Sequence, residues 1–268
     1  MLMLIDIIAV LSVLGAVATV VFTPCPWYWI FALVIGYFVG QIVLHLAVAL
    51  PISWCVDKNK PVEGKVSRYF RYMTISTVDA IIKIARVRVK VTGIELLPTD
   101  RRFMLVSNHL SRFDPMICMA KLHKTPLMFV SKPENFKIPI AGAYVHKCKF
   151  MSIDRENPRN ALTTLNTCAE FLKSGELSVG IYPEGTRSKT GELGEFHDGV
   201  FKIARDSKAP IVVMTLHGPE NIPKNFPWRS TRVEMRIVRV IEPEEYAGMR
   251  MGPISAMVRE IMQKELEN

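Results

Sequence analysis

A chain of 268 residues has room for one large α/β domain and an appendage, but not for two full domains. Asp6 is the only charged side chain in residues 1–56, so with +9 on the whole chain, residues 57–268 carry a net +10. That balance points to an anionic surface or anionic substrates; the lack of zinc-finger spacing, RNA-binding signatures or Lys/Arg-rich blocks argues against nucleic acid.

Residues 7–23 and 27–50 are apolar runs broken by Thr23-Pro24-Cys25-Pro26. At 1.5 Å per residue the first covers about 25 Å, slightly under a ~30 Å hydrocarbon core, while the second is long enough to span it. There is no positive segment ahead of the first run, which argues against a cleaved signal peptide. The all-round apolar character argues against a soluble hairpin. Residues 1–56 are therefore expected to form an N-terminal membrane helical hairpin, crossing the bilayer or dipping into one leaflet, with Trp27, Tyr28 and Trp29 at one interface. Lys58, Lys60, Lys65, Arg68 and Arg71 follow. Basic residues just past an apolar segment place residues 57–268 on the cytoplasmic face of that membrane, the plasma membrane in a bacterium.

Residues 64–85 are predicted helical, with Val66, Tyr69, Phe70 and Met73 on one face. From Val87 the period becomes two, as Val87, Val89 and Val91 alternate with Arg88 and Lys90, the mark of a half-buried strand. Further strands are predicted near 103–107, 127–131, 149–153, 178–182, 210–215 and 232–238, with helices at 158–174 and 253–266. This alternation predicts an α/β domain over 57–268, its mixed, largely parallel sheet flanked by helices. Cys25, Cys55, Cys118, Cys148 and Cys168 are scattered and form no C-x-x-C pair. They predict neither a disulfide scaffold nor a metal site and fit a reduced compartment.

Two stretches carry chemistry. Phe103-Met104-Leu105-Val106 ends at Ser107-Asn108-His109, and Asp114-Pro115 then reads as a helix start with Asp114 as N-cap. His109 is thereby placed on a loop after the carboxyl end of a strand, the edge where open α/β sheets bind ligands. Such a loop can fold Asp114 back onto the imidazole, although a surface pair or a plain cap would use the same letters. The second stretch, Ile181-Tyr182-Pro183-Glu184-Gly185-Thr186-Arg187-Ser188, also follows a strand-like run and contains a fixed cation.

Together these two motifs, in this order and about 70 residues apart, resemble the glycerolipid acyltransferase family over roughly residues 88–240. Asn108, His109 and Asp114 match its first motif, and Pro183 to Ser188 match its third without a gap. Ser131-Lys132-Pro133-Glu134 with Ile138-Pro139-Ile140-Ala141-Gly142 resembles the second. Phe150-Met151-Ser152-Ile153-Asp154-Arg155 resembles the strand that ends in a substrate-facing arginine. The resemblance implies transfer of a fatty acyl group from acyl-CoA or acyl carrier protein to the sn-2 hydroxyl of lysophosphatidic acid, with no cofactor. His109 would be the base that deprotonates the alcohol, and Asp114 the carboxylate that holds it. Arg187, with a fork suited to phosphate oxygens, and Gly185, which permits close backbone approach, would bind substrate together with Glu184, Thr186, Lys132 and Arg155. Glu184 cannot meet a phosphate directly; orienting Arg187 or a loop amide and serving as a structural ion pair both fit it. Lys132 and Arg155 likewise fit substrate-contacting and structural roles alike.

The acceptor itself is then the nucleophile. Gly175 to Gly180 lacks the spacing of a G-x-S-x-G elbow, though Ser107 and Ser111 leave an acyl-serine route open. Many relatives carry Lys before the glycine of a Phe-x-x-Gly element, whereas here Phe196-His197-Asp198-Gly199 stands, which leaves the headgroup open. Another lysolipid acceptor, a membrane-tethered thioesterase or acyl hydrolase, and a non-catalytic lipid binder are the rival readings; pure binding has no need of a base.

Overall fold

The computed structural model describes residues 28–58, 60–154 and 157–267, together with 14, 15 and 18. The chain divides into two units, Met1–Asp57 and Lys58–Asn268. In the first, helix α1 (Tyr28–Trp54) contains no charged residue and exposes Trp29, Phe31, Ile35, Val39, Val43 and Trp54. Counted over the described residues, no helix is long and apolar enough to cross a membrane. The other expected arm, residues 7–23, lies almost wholly outside the described residues. The membrane-hairpin expectation is therefore unsupported, and its apolar letters surface here as the exposed face of α1.

In the second unit, helix α2 (Arg68–Ile84) precedes strands β1 (Val87–Thr92) and β2 (Met104–Ser107). Helix α3 (Asp114–Lys121), β3 (Leu127–Ser131), α4 (Ala141–Lys147) and β4 (Met151–Ser152) follow. Then come α5 (Pro158–Lys173), β5 (Ser178–Ile181), α6 (Lys202–Ser207), β6 (Ile211–His217), α7 (Ile222–Asn225), β7 (Thr231–Ile241) and α8 (Met251–Leu266). Their order in the sheet is β1-β7-β6-β2-β5-β3-β4. Every neighbouring pair is parallel except β6 with β7. The sheet is thus mixed and largely parallel, with β1 and β7 running opposite to the other five strands.

Each strand obeys the burial its position imposes. The central strands β2 and β5 are buried at every residue and read as continuous apolar runs. Strand β7 alternates, burying Val233, Met235 and Ile237 while exposing Arg232, Glu234 and Arg236. Helix α2 buries Met73, Val78 and Ile82, and α8 buries Ile254, Val258 and Met262. Each such side chain contributes roughly 1.5–3 kcal/mol relative to exposure. Among the described residues Cys118, Cys148 and Cys168 are free and buried, and burial raises all three thiols.

Candidate active site

Strands β2, β5, β3 and β6 all end on the same edge of the sheet, and the candidate residues lie in the loops there. Strand β2 gives way to Asn108, whose buried amide donates to the carbonyl of Leu216 (2.9 Å) and accepts from its N–H (2.8 Å). The side chain continues the β2–β6 ladder beyond the last backbone pair, Ser107 with Met214. That fixes where the next residue, His109, leaves the sheet.

His109 Nδ1 lies 2.8 Å from Asp114 Oδ2, and the Asp114 side chain is wholly buried. The same oxygen accepts the N–H groups of Leu110 and Ser111, each at 2.7 Å. Three donors converge on this one oxygen, which serves them as acceptor, the role of a carboxylate oxygen. An ionised Asp114 assigns the proton to Nδ1 and leaves the Nε2 lone pair for the partly open side of the ring. The expectation of Asp114 as helix N-cap is corrected here. Phe113 occupies the cap position and Asp114 is the first residue of α3. Its carboxylate turns back onto the preceding loop because the imidazole and two loop amides offer it more donors than the helix does.

The imidazole is also held from its face. The Tyr182 ring stacks on His109 with centroids 4.3 Å apart and planes 19° from parallel, and Phe129 stacks on Tyr182 at 5.7 Å and 9°. Gly180 makes room for this column, since a Cβ there would lie 2.4 Å from the Phe129 ring. Burial, then the nearby Cys118 and Asp114, holds the Tyr182 hydroxyl well above its ordinary value. Cys118, 4.0 Å from that hydroxyl, is raised by burial and by the charge of Asp114, so it stays an inert thiol.

Glu184 clamps two loops together. Its Oε1 accepts the N–H of His109 at 2.7 Å, and its Oε2 accepts the N–H of Gly194 at 2.9 Å. Of the roles left open for it, the structure shows orientation of loop amides. Burial raises its carboxyl above the ordinary glutamate range, against the two amides, which lower it. Gly185, at φ +68°, supplies the left-handed turn that follows. The Ser188 N–H then bonds the His109 carbonyl at 2.8 Å, bringing the third motif against the first. Between these ties Thr186 and Arg187 stand exposed. Lys132, exposed just after β3, belongs to the same edge, two strands from β2. Arg155 lies outside the described residues. Ser107 and Ser111 are buried, and among the described residues no serine hydroxyl bonds His109.

Tyr182 is the contributor that sequence reasoning missed, although it stood in the quoted motif. Its placement beside His109 follows from β5 pairing with β2, an adjacency the sequence alone does not give.

Comparison with known proteins now bears on this geometry. Residues 88–224 match the family described as Acyltransferase. The chain is 37% identical over 138 residues to the chloroplast 1-acyl-sn-glycerol-3-phosphate acyltransferase of Arabidopsis thaliana, covering 50% of this chain and 37% of that protein. It therefore spans well under half of that relative's length. It is 26% identical over 226 residues to the 1-acyl-sn-glycerol-3-phosphate acyltransferase alpha of Ovis aries, covering 83% and 74%. The crystal structure of the 1-acyl-sn-glycerophosphate (LPA) acyltransferase PlsC from Thermotoga maritima superimposes with a TM-score of 0.61 at 22% identity, over 86% of this chain and 91% of that one. At that identity the likeness concerns the fold.

Proposed function

Because this chain belongs to the acyltransferase family, we propose that it transfers a fatty acyl group from an acyl thioester to the sn-2 hydroxyl of lysophosphatidic acid, forming phosphatidic acid. The observation that carries the reading is His109 with Nδ1 fixed by the wholly buried Asp114 at 2.8 Å and the rest of its ring partly open. An alcohol is a weak nucleophile at neutral pH and needs a base at the moment of attack. His109 Nε2 takes the hydroxyl proton as the alkoxide oxygen bonds to the thioester carbonyl carbon. The imidazolium so formed is stabilised by Asp114 and by the π face of Tyr182. Collapse of the tetrahedral intermediate breaks the carbon–sulfur bond, and the departing thiolate takes the proton back. No covalent enzyme intermediate is required.

Arg187 and Thr186, exposed on a turn tied to His109, would meet the acceptor phosphate, with Lys132 a further cation of the same edge; the family resemblance adds Arg155. The relatives, named 1-acyl-sn-glycerol-3-phosphate acyltransferases, support this choice of acceptor. The donor is acyl-CoA or acyl carrier protein. The exposed apolar residues of α1 suit attachment to a membrane, where both lipids reside, and the basic residues after it suit the cytoplasmic face.

The test is product analysis of the purified full chain offered both donors and a panel of lysolipids. Phosphatidic acid from lysophosphatidic acid is the expected product. Free fatty acid with the acceptor untouched would make the protein a hydrolase instead, and a different acylated lysolipid would reassign the headgroup.

A further inference from the structure

We infer that the sheet edge carrying His109 has a second, separate lipid-contacting element, the loop at 224–230, and that it docks on an anionic bilayer surface. Trp228 is 85% exposed and Phe226 46% exposed, uncommon for large aromatic side chains in one short loop. They are not isolated. Arg86 donates to the carbonyls of both Pro227 and Trp228 at 3.2 Å, and the N–H of Thr231 bonds the Arg86 carbonyl. The loop is thereby joined to the end of α2, where Ile84 is 68% exposed.

Around this apolar tip lie Arg86, Arg88, Lys224, Arg229 and Arg232, all exposed. No acidic residue occurs between Asp79 and Glu95, nor between Glu220 and Glu234. An aromatic tip with exposed cations on the segments beside it matches the two layers of an anionic bilayer, apolar below and negative at the headgroups.

The sheet topology gives the loop its position. Strand β7 runs antiparallel to β6, so β7 begins where β6 ends, at the edge that bears the His109 loop. Thr231 stands three residues ahead of Glu234, the partner of the last β6 residue, His217. At ~3.3 Å per residue the loop projects about 10 Å beyond β6. It also lies two strand spacings from β2, about 10 Å to the side. Docking there would turn the edge toward the surface that holds an acyl lipid. The inference stands on exposure, charge and topology, apart from any assigned reaction.

The test uses the full chain with Trp27, Trp29 and Trp54 each replaced by Phe, leaving Trp228 as the sole tryptophan. The protein is reconstituted on phosphatidylcholine vesicles with or without phosphatidylglycerol, and co-flotation establishes attachment in both. The Trp228 emission is expected to shift to the blue and to lose most of its intensity to brominated acyl chains on the anionic vesicles. Both effects should shrink on the zwitterionic ones. Adding Arg86→Glu, Arg229→Glu and Arg232→Glu should abolish the shift while co-flotation persists. Emission that stays aqueous and unquenched on attached protein overturns the inference, as does a shift produced by an acidic carrier protein rather than by lipid. Because nothing here reads turnover, an inactive protein leaves this result intact.

Discussion

The two halves of the candidate catalytic edge are built on opposite plans. On the His109 side, side chains and amides are tied to one another: Asp114 Oδ2 holds three donors, Glu184 holds two, and Asn108 makes a two-way bridge to Leu216. On the Arg187 side, the backbone is tied through Ser188 while Arg187, Thr186 and Lys132 reach into solvent. A proton-transfer group must be held to within fractions of an ångström, since misplacement costs rate directly. A cation that meets a doubly charged phosphate tolerates motion, because the ligand itself supplies the missing order. Changes on the first side should therefore act on kcat, and changes on the second on KM.

The largest effect is expected at His109. His109→Ala should lower kcat by at least ~10²–10⁴-fold, the usual scale for a general base, with the circular dichroism spectrum retained. Asp114→Asn comes next. An amide preserves the side chain's shape but not its charge, and it sets an NH₂ group in a buried pocket where Asp114 Oδ1 has no partner. Most of the activity should be lost, whereas near-normal turnover would remove the dyad from the mechanism. Asp114→Ala should in addition destabilise the fold, since two loop amides lose their acceptor at about 1–3 kcal/mol each; a urea midpoint would show it.

Arg187→Ala tests the other plan. A charge-assisted hydrogen bond is worth about 1.5–3 kcal/mol, so KM for lysophosphatidic acid should rise by roughly 10- to 100-fold with little change in the donor KM. Arg187→Lys should recover part of that, lacking the bidentate fork. Equal effects on both substrates would move Arg187 out of the phosphate site.

A smaller effect is expected from Tyr182→Leu, which removes the stacked face. Such contacts are worth about 0.5–1.5 kcal/mol, a few-fold in kcat. Tyr182→Phe keeps the face and should keep kcat; if Phe behaves like Leu, the hydroxyl rather than the stack matters.

The smallest effect concerns Glu184 and pH. Its carboxyl is raised in the fold, so the native state binds this proton more tightly than the unfolded chain. The group therefore subtracts stability as pH rises from the ordinary glutamate value through the raised one. Glu184→Gln should flatten that part of the stability–pH curve. It should also lower kcat modestly, because an NH₂ group would face a backbone donor, His109 or Gly194. An unchanged curve would mean that Glu184 titrates normally.

What the letters revealed follows the range of the interaction. All seven strands lie near their predicted places because burial periodicity is local, and β4 is merely shorter than expected. The His109–Asp114 approach was legible because a strand–loop–helix turn confines both ends. Helix-capping letters, by contrast, could not reveal that His109, Leu110 and Ser111 would outbid the helix for the Asp114 carboxylate. Nor could they show Tyr182 over His109 or Glu184 under it, since those depend on β5 lying beside β2. The antiparallel placement of β7 was equally silent, for an alternating strand carries no mark of its neighbours' direction.

The bridge between Asn108 and Leu216 carries a consequence for the order of events during synthesis. His109 emerges from the ribosome long before β6, yet the rung that sets its departure from the sheet needs Leu216. A nascent chain ending before Ile211 would hold the histidine and its aspartate but not the frame that aims them. Competence would then arrive late and at one stroke, when β6 docks. Chains truncated just before and just after β6 should differ in their access to Asn108 by amide exchange.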